Sequence, residues 1–202
     1  MRWNRRGLSL LEIIVVASIL LLLVGILTVS FVRGARVWKK VENETTLLRE
    51  LQTTVREMER SISTGHPYGL TSGTNSIALL SCQDTQGKPV VNNRGEPTWN
   101  KFVLYYIDDV GLLRKRILNL GTPSSEALSF EEETGQSLDQ YLNQFPQQDD
   151  RRLTHSGKVT LLELKSKGDY GSLYELKLEA EQTVNSDRVD TLKMSTTIGL
   201  RN

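Results

Sequence analysis

The stretch Arg5-Arg6-Gly7-Leu8-Ser9-Leu10-Leu11-Glu12, with the apolar run behind it, decides the fold. From Ile13 to Val32 there is no charged residue and no proline, and only Ser18, Gly25, Thr28 and Ser30 interrupt the apolar side chains. A helix crosses a bilayer with about 20 predominantly apolar residues, so the run is long enough. Its hydroxyls can bond back to carbonyls of their own helix. Glu12 is the residue at odds with this reading. A carboxylate at the centre of a span costs roughly 2.5 kcal/mol or more and marks a functional partner. The bland alternative is that Glu12 lies near the interface and reaches headgroup water.

The neighbours of Glu12 favour the functional reading. A basic leader, a glycine, an apolar residue and a glutamate as the fifth residue after that glycine stand in one register: Arg6-Gly7, then Leu8-Ser9-Leu10-Leu11-Glu12-Ile13-Ile14-Val15-Val16. This closely resembles the prepilin-peptidase signal of type IV pilins and of type II secretion pseudopilins. Leu8 departs mildly from it, since phenylalanine is common there. The resemblance implies that a membrane aspartyl peptidase cuts between Gly7 and Leu8 on the cytoplasmic side and methylates the new amine of Leu8. Gly7 offers the peptidase an unhindered backbone, and Arg5 and Arg6, with Arg2, hold the leader at the anionic inner leaflet. After the cut, Glu12 pairs with the Leu8 ammonium of a neighbouring subunit, a contact that sets register more than it adds stability. A secretory signal peptide is cut after its apolar segment, whereas here that segment stays in the mature protein.

Composition bounds the rest. The chain has 202 residues with 25 Lys+Arg against 24 Asp+Glu, a formal net charge of +1. That balance argues against nucleic acid as a partner. About 140 residues follow the predicted helix, enough for one domain with its own core. The lone cysteine, Cys82, excludes an intrachain disulfide, and the run Ile77-Ala78-Leu79-Leu80 before it reads as core strand, so an inert buried thiol is expected. Basic residues flank the span on both sides, Arg33, Arg36, Lys39 and Lys40 on the far one. The positive-inside count therefore leaves orientation open, and it is the processing signal that implies a cytoplasmic leader and a periplasmic domain.

Beyond the span, Val37, Val41, Leu48, Leu51, Val55, Met58 and Ile62 recur at helical spacing and predict one apolar stripe. The charged residues between them, including Glu50, Arg56, Glu57, Glu59 and Arg60, read as a solvated face with local ion pairs. Thr64-Gly65-His66-Pro67 ends the helix. A helix from Leu8 to Ser63 would be on the order of 80 Å long at 1.5 Å per residue. Strands are expected at Ser76–Ser81, Lys101–Ile107, Leu112–Leu118, Val159–Lys165, Leu173–Gln182 and Thr191–Leu200. Asp108-Asp109-Val110-Gly111 makes the second and third a hairpin, and Tyr174, Leu176, Leu178 and Ala180 form an inner face. In the long polar segment 121–157, Leu138, Tyr141, Leu142 and Phe145 predict a short amphipathic helix over Ser137–Phe145.

No catalytic constellation is visible. His66 and His155 are the only histidines, both in turn or loop contexts, and no CxxC, HExxH, GxSxG or P-loop occurs. The acidic groups Asp108-Asp109, Glu131-Glu132-Glu133 and Asp149-Asp150 read as solvated charge rather than calcium ligands. The expectation is thus a non-enzymatic protein with no cofactor and no metal. Its predicted fold is α+β and pilin-like, a long N-terminal helix packed on antiparallel sheet. The predicted divisions are a leader at 1–7, a transmembrane helix at 8–32, a periplasmic half of the helix at 33–64 and a β-rich domain at 65–202.

The run Glu50 to Ile62 is also similar to the spine end of J-type minor pseudopilins and W-type minor pilins. That resemblance implies a minor pseudopilin of the bacterial inner membrane. Its implied partners are other minor pseudopilins, the major subunit and the prepilin peptidase, in a filament that helps export folded proteins. The alternatives are a minor pilin of a type IV pilus or DNA-uptake machine, and a bitopic membrane protein with a ligand-binding or catalytic periplasmic domain.

Overall fold

The computed structural model describes residues 10–84, 86–145, 150–167, 173–185 and 188–200. Helix α1 spans Leu10–Ser63. The chain divides into two units near Asn43 and Glu44. In the first, α1 is exposed on every side, with aliphatic residues from Leu10 to Val32 between 42% and 79% accessible. It is a helix long and apolar enough to cross a membrane, with a mean hydropathy of 3.0 over its most apolar window. Ser18 donates to the Ile14 carbonyl (2.8 Å) and Thr28 to that of Val24 (2.7 Å). These hydroxyls are thereby satisfied without water, as an apolar surrounding requires.

The second unit holds the rest of α1 and two antiparallel sheets, which makes the fold α+β as expected. The first sheet has the order β1 (Leu70–Gly73), β2 (Ser76–Ser81), β3 (Trp99–Ile107), β4 (Leu113–Ser124) and β5 (Arg151–Arg152). Two short helices, α2 (Phe130–Thr134) and α3 (Leu138–Gln144), lie between β4 and β5 in sequence. The second sheet has the order β6 (Lys158–Ser166), β7 (Leu173–Asn185) and β8 (Arg188–Gly199).

Two cores sit on opposite faces of β2 and β3. Ile77, Leu79, Val103 and Tyr105 point to one side, where they meet Leu47, Leu51, Met58 and Ile62 of α1 and Leu162, Leu176, Leu178 and Ala180 of the second sheet. Ala78, Leu80, Phe102, Leu104 and Tyr106 point to the other side, under Phe130 of α2 and Leu138 and Leu142 of α3. A strand covered on both faces has no solvent side, which is why residues 77–80 read as an apolar run rather than an alternation. Phe130 meets Phe102 and Tyr141 edge-on, at 5.3 and 5.4 Å between ring centroids. The polar segment after β4 thus supplies the cover of a second core.

The buried stripe of α1 is Leu47, Leu51, Thr54, Val55, Met58 and Ile62, which differs from the expected one at its start. Val37 and Val41 are exposed, and Leu48 is 37% accessible while Leu47 is fully buried. Adjacent leucines satisfy the same periodicity, so the choice falls to tertiary contact. Leu47 packs against Gly157, where a Cβ would lie 2.9 Å from the Glu181 carbonyl oxygen and 3.0 Å from both Leu47 methyls.

The hairpin between β3 and β4 closes on Asp108. Its Oδ1 accepts the backbone N–H of Val110 (3.0 Å) and Leu112 (2.7 Å), and Gly111 takes the left-handed backbone at φ +88. Leu112, expected in β4, belongs to this turn.

Candidate functional site

Of the residues in the processing signal, Arg5, Arg6, Gly7 and Leu8 lie outside the described residues. Glu12 lies within them, in the first turn of α1. Its side chain is exposed, as are those of its neighbours Leu10, Leu11 and Ile13. A negative charge in a first helical turn is favourable, because the unpaired N–H groups there carry partial positive charge. Further along, Gly25 floors a shallow groove walled by Leu21, Leu22, Ile26, Val29 and Arg33, and a Cβ added to it would meet nothing within 4 Å. The first unit therefore offers an uncovered apolar surface with one carboxylate at its start.

The helix enters the second unit through polar contacts as well as the apolar stripe. Glu50 Oε2 accepts the backbone N–H of His155 (2.8 Å) and Ser156 (3.0 Å), and Oε1 accepts the Ser156 hydroxyl (2.8 Å). Burial opposes the charge of Glu50, but these donors outweigh it and hold its carboxyl below the ordinary glutamate value. Thr54 donates to the Leu153 carbonyl (3.5 Å), Lys115 donates to Glu57 (2.6 Å), and the Ser61 and Tyr105 hydroxyls share a hydrogen bond (2.9 Å). Glu50, Thr54, Glu57 and Ser61 stand at i, i+4, i+7 and i+11, a polar row beside the apolar one. Spacing within the helix puts Glu50 and Glu57 on the solvated face. They bond instead to strands and loops distant in the chain, which no spacing within the helix reveals.

Of the acidic groups considered as calcium ligands, Asp108, Glu132 and Asp150 have other partners. Asp108 pairs with Arg114 (2.6 Å) besides capping its turn; burial resists its charge, yet the Leu112 amide and Arg114 hold its carboxyl below the usual range. Asp150 receives Arg116 through Nε, at 3.0 and 2.8 Å to its two oxygens, and also accepts the Tyr106 hydroxyl. The Arg116 guanidinium lies over the Tyr106 ring at 5.6 Å and the Tyr141 ring at 6.0 Å. Glu132 completes a capping box with Ser129 and accepts the Tyr68 hydroxyl (2.7 Å). Among the described residues no cluster of three or more His, Cys, Asp or Glu is arranged to hold a metal ion.

Cys82 is 7% accessible and burial pushes its thiol pKa up, which favours the unreactive form. It borders a half-open cleft of about 940 Å³ in the second unit. Its lining includes Arg56, Glu59 and Arg60 of α1, His66 and Trp99, and Thr197, Ile198 and Gly199 of β8. The His66 and Trp99 rings meet edge-on at 5.3 Å. Nothing in the sequence motifs marks this cleft, because its walls come from elements far apart in the chain.

No protein-family model, curated protein or solved structure matches this chain. The class defined by its structure is an α+β protein with one long N-terminal helix, apolar enough to cross a membrane in its first part and packed on antiparallel sheets in its last. That combination of elements is consistent with a pilin-like protein.

Proposed function

We propose that the chain is a minor pseudopilin, a non-enzymatic subunit of a short periplasmic filament that assists export of folded proteins. One observation carries the reading: α1 has an uncovered apolar first part with Glu12 in its first turn, and the same helix then becomes the buried spine of a β-rich domain. A helix of this composition is stable either in lipid or against the helices of other subunits. The working parts are then Gly7 and Leu8 for processing, with Arg5 and Arg6 in the leader. Glu12 answers the amine of a neighbour, and residues 13–32 provide helix packing. The second unit lies in the periplasm and meets the partner subunits.

Intact-mass analysis of the protein extracted from cells that hold a prepilin peptidase tests this reading. The mature chain should begin at Leu8 and carry one methyl group on its amine. Retention of Met1 in such cells would overturn the assignment.

A further inference from the structure

A sheet edge is a row of unpaired backbone groups, and proteins blunt such edges by shortness, covering or charge. Three of the four edges here are blunted. Strand β1 has four residues, and Asp139 of α3 holds its turn through the Thr74 N–H (3.0 Å) and the Ser76 hydroxyl (2.9 Å). Strand β5 has two residues. The far side of β6 is tied to the first sheet, with Val159 N–H donating to the Gly111 carbonyl (2.7 Å) and Leu162 N–H to Asn75 Oδ1 (3.2 Å). Strand β8 is different. It pairs with β7 along its whole length, and from Thr191 to Gly199 no backbone hydrogen bond is made on its other side among the described residues.

The side chains of β8 repeat the message. Leu192 and Met194 point toward the first core but remain only half-buried. The sheet stops one strand short of covering them. At the C-terminal end of β8 the open edge runs into the cleft, whose volume of about 940 Å³ is in the range of ligand-binding clefts. The same cleft is lined by Arg56 and Arg60, one helical turn apart, neither with an ion pair among the described residues, and by Glu59.

We infer that β8 and this cleft form a strand-addition site for an extended segment of another subunit. The incoming segment pairs antiparallel with Thr191–Gly199, as every strand pair in both sheets does. Alternate apolar side chains complete the cover over Leu192 and Met194. An acidic residue near its N-terminal end enters the cleft and meets Arg56 and Arg60. Main-chain bonds supply affinity and the alternating side chains specificity. The inference rests on the filament reading only for the source of the segment.

The test uses the full chain in detergent micelles and a synthetic peptide, acetyl-Asp-Thr-Val-Thr-Val-Thr-Val-Thr-amide. Hydrogen exchange should show new protection in β8, centred on Thr191–Gly199, and none on β6. A strand presents one edge to its host, so N-methylation of either all the valines or all the threonines should weaken binding at least tenfold. Arg56→Ser with Arg60→Ser should weaken the peptide at least fivefold and should not weaken a version with Lys in place of Asp. Equal binding of both N-methylated peptides, or no β8 protection at millimolar peptide, would overturn the inference. So would β8 protection that rises with protein concentration in the absence of peptide, which assigns the edge to a second copy of this chain. None of these outcomes bears on processing at Gly7, so failure here and failure of the filament reading are separable.

Discussion

Replacing Glu50 by alanine tests how the spine helix is held to the sheets. The carboxylate accepts two backbone N–H groups and one hydroxyl from His155 and Ser156. A hydrogen bond to a charged group contributes about 1.5–3 kcal/mol net. The sum over the contacts overstates the loss, because Glu50 and Ser156 are only half-buried and His155 is exposed, so water replaces part of what is removed. Glu50→Ala should therefore cost about 2 kcal/mol of unfolding free energy. Glu50→Gln keeps one acceptor oxygen and should cost about half as much.

The loss should be local before it is global. Residues 155–157 lead into β6 and seat Gly157 against Leu47, so amide exchange should speed up at the start of β6 before it does in β3. The pH dependence has a fixed sign. The folded pKa of Glu50 lies below its ordinary value of 4.5, so its contribution is complete above that value and is lost as pH falls through the lowered one. The gap between the native chain and Glu50→Gln in urea unfolding should be constant from pH 8 to pH 6 and close as the solution is acidified below the ordinary carboxyl range. A Glu50→Ala chain within about 0.5 kcal/mol of the native one, the range of a neutral surface change, would refute the reasoning.

The other perturbations separate the remaining claims. Leu51→Ala should cost about 3 kcal/mol, as large-to-small changes at fully buried sites do, while Leu48→Ala should stay within about 1 kcal/mol; equal losses in thermal or urea unfolding would show the buried stripe to be misplaced. Asp150→Ala leaves the Arg116 guanidinium, whose side chain is 10% accessible, without its carboxylate, and should cost about 3 kcal/mol. Asp150→Ala with Arg116→Met should recover much of that in the same assay. Under the filament reading, Glu12→Leu should leave membrane insertion and processing intact and abolish co-purification with partner subunits; normal assembly would remove any pairing role for the carboxylate.

What could be read from the sequence follows the range of the interactions involved. The long apolar helix, the β3–β4 hairpin, β2 and the inner face of β7 depend on neighbours within a few residues, and the structure places them where periodicity and turn chemistry put them. Strand β1 was not legible because Leu70-Thr71-Ser72-Gly73 has no alternation and borrows its order from β2. Helix α2 was missed because Phe130 is its one large apolar residue, although Ser129 and Glu132 form a capping box that the sequence displays. The polar row on α1 and the cleft beside β8 were invisible for another reason. Glu50 and His155 are 105 residues apart, and Arg60 and Thr197 still further, so only the folded chain brings them together.

The two units of the chain solve opposite problems with one helix. From Leu47 onward, the buried apolar residues of α1 share a core with both sheets, and Glu57 and Ser61 beside them bond to Lys115 and Tyr105 of the first sheet. From Leu10 to Val32 the large aliphatic side chains are exposed among the described residues. Exchange of lipid for protein around that surface changes little in hydrophobic free energy, since tails and aliphatic side chains are equally apolar. Discrimination between the two surroundings must then come from shape and polar groups. Ser18 and Thr28 are already satisfied by carbonyls of their own helix, and Gly25 contributes only space. Among the described residues of the span, Glu12 alone carries a charge whose cost depends strongly on what surrounds it. Under the filament reading, this one carboxylate decides when the helix leaves the bilayer, and the apolar residues decide only that it is content in either place.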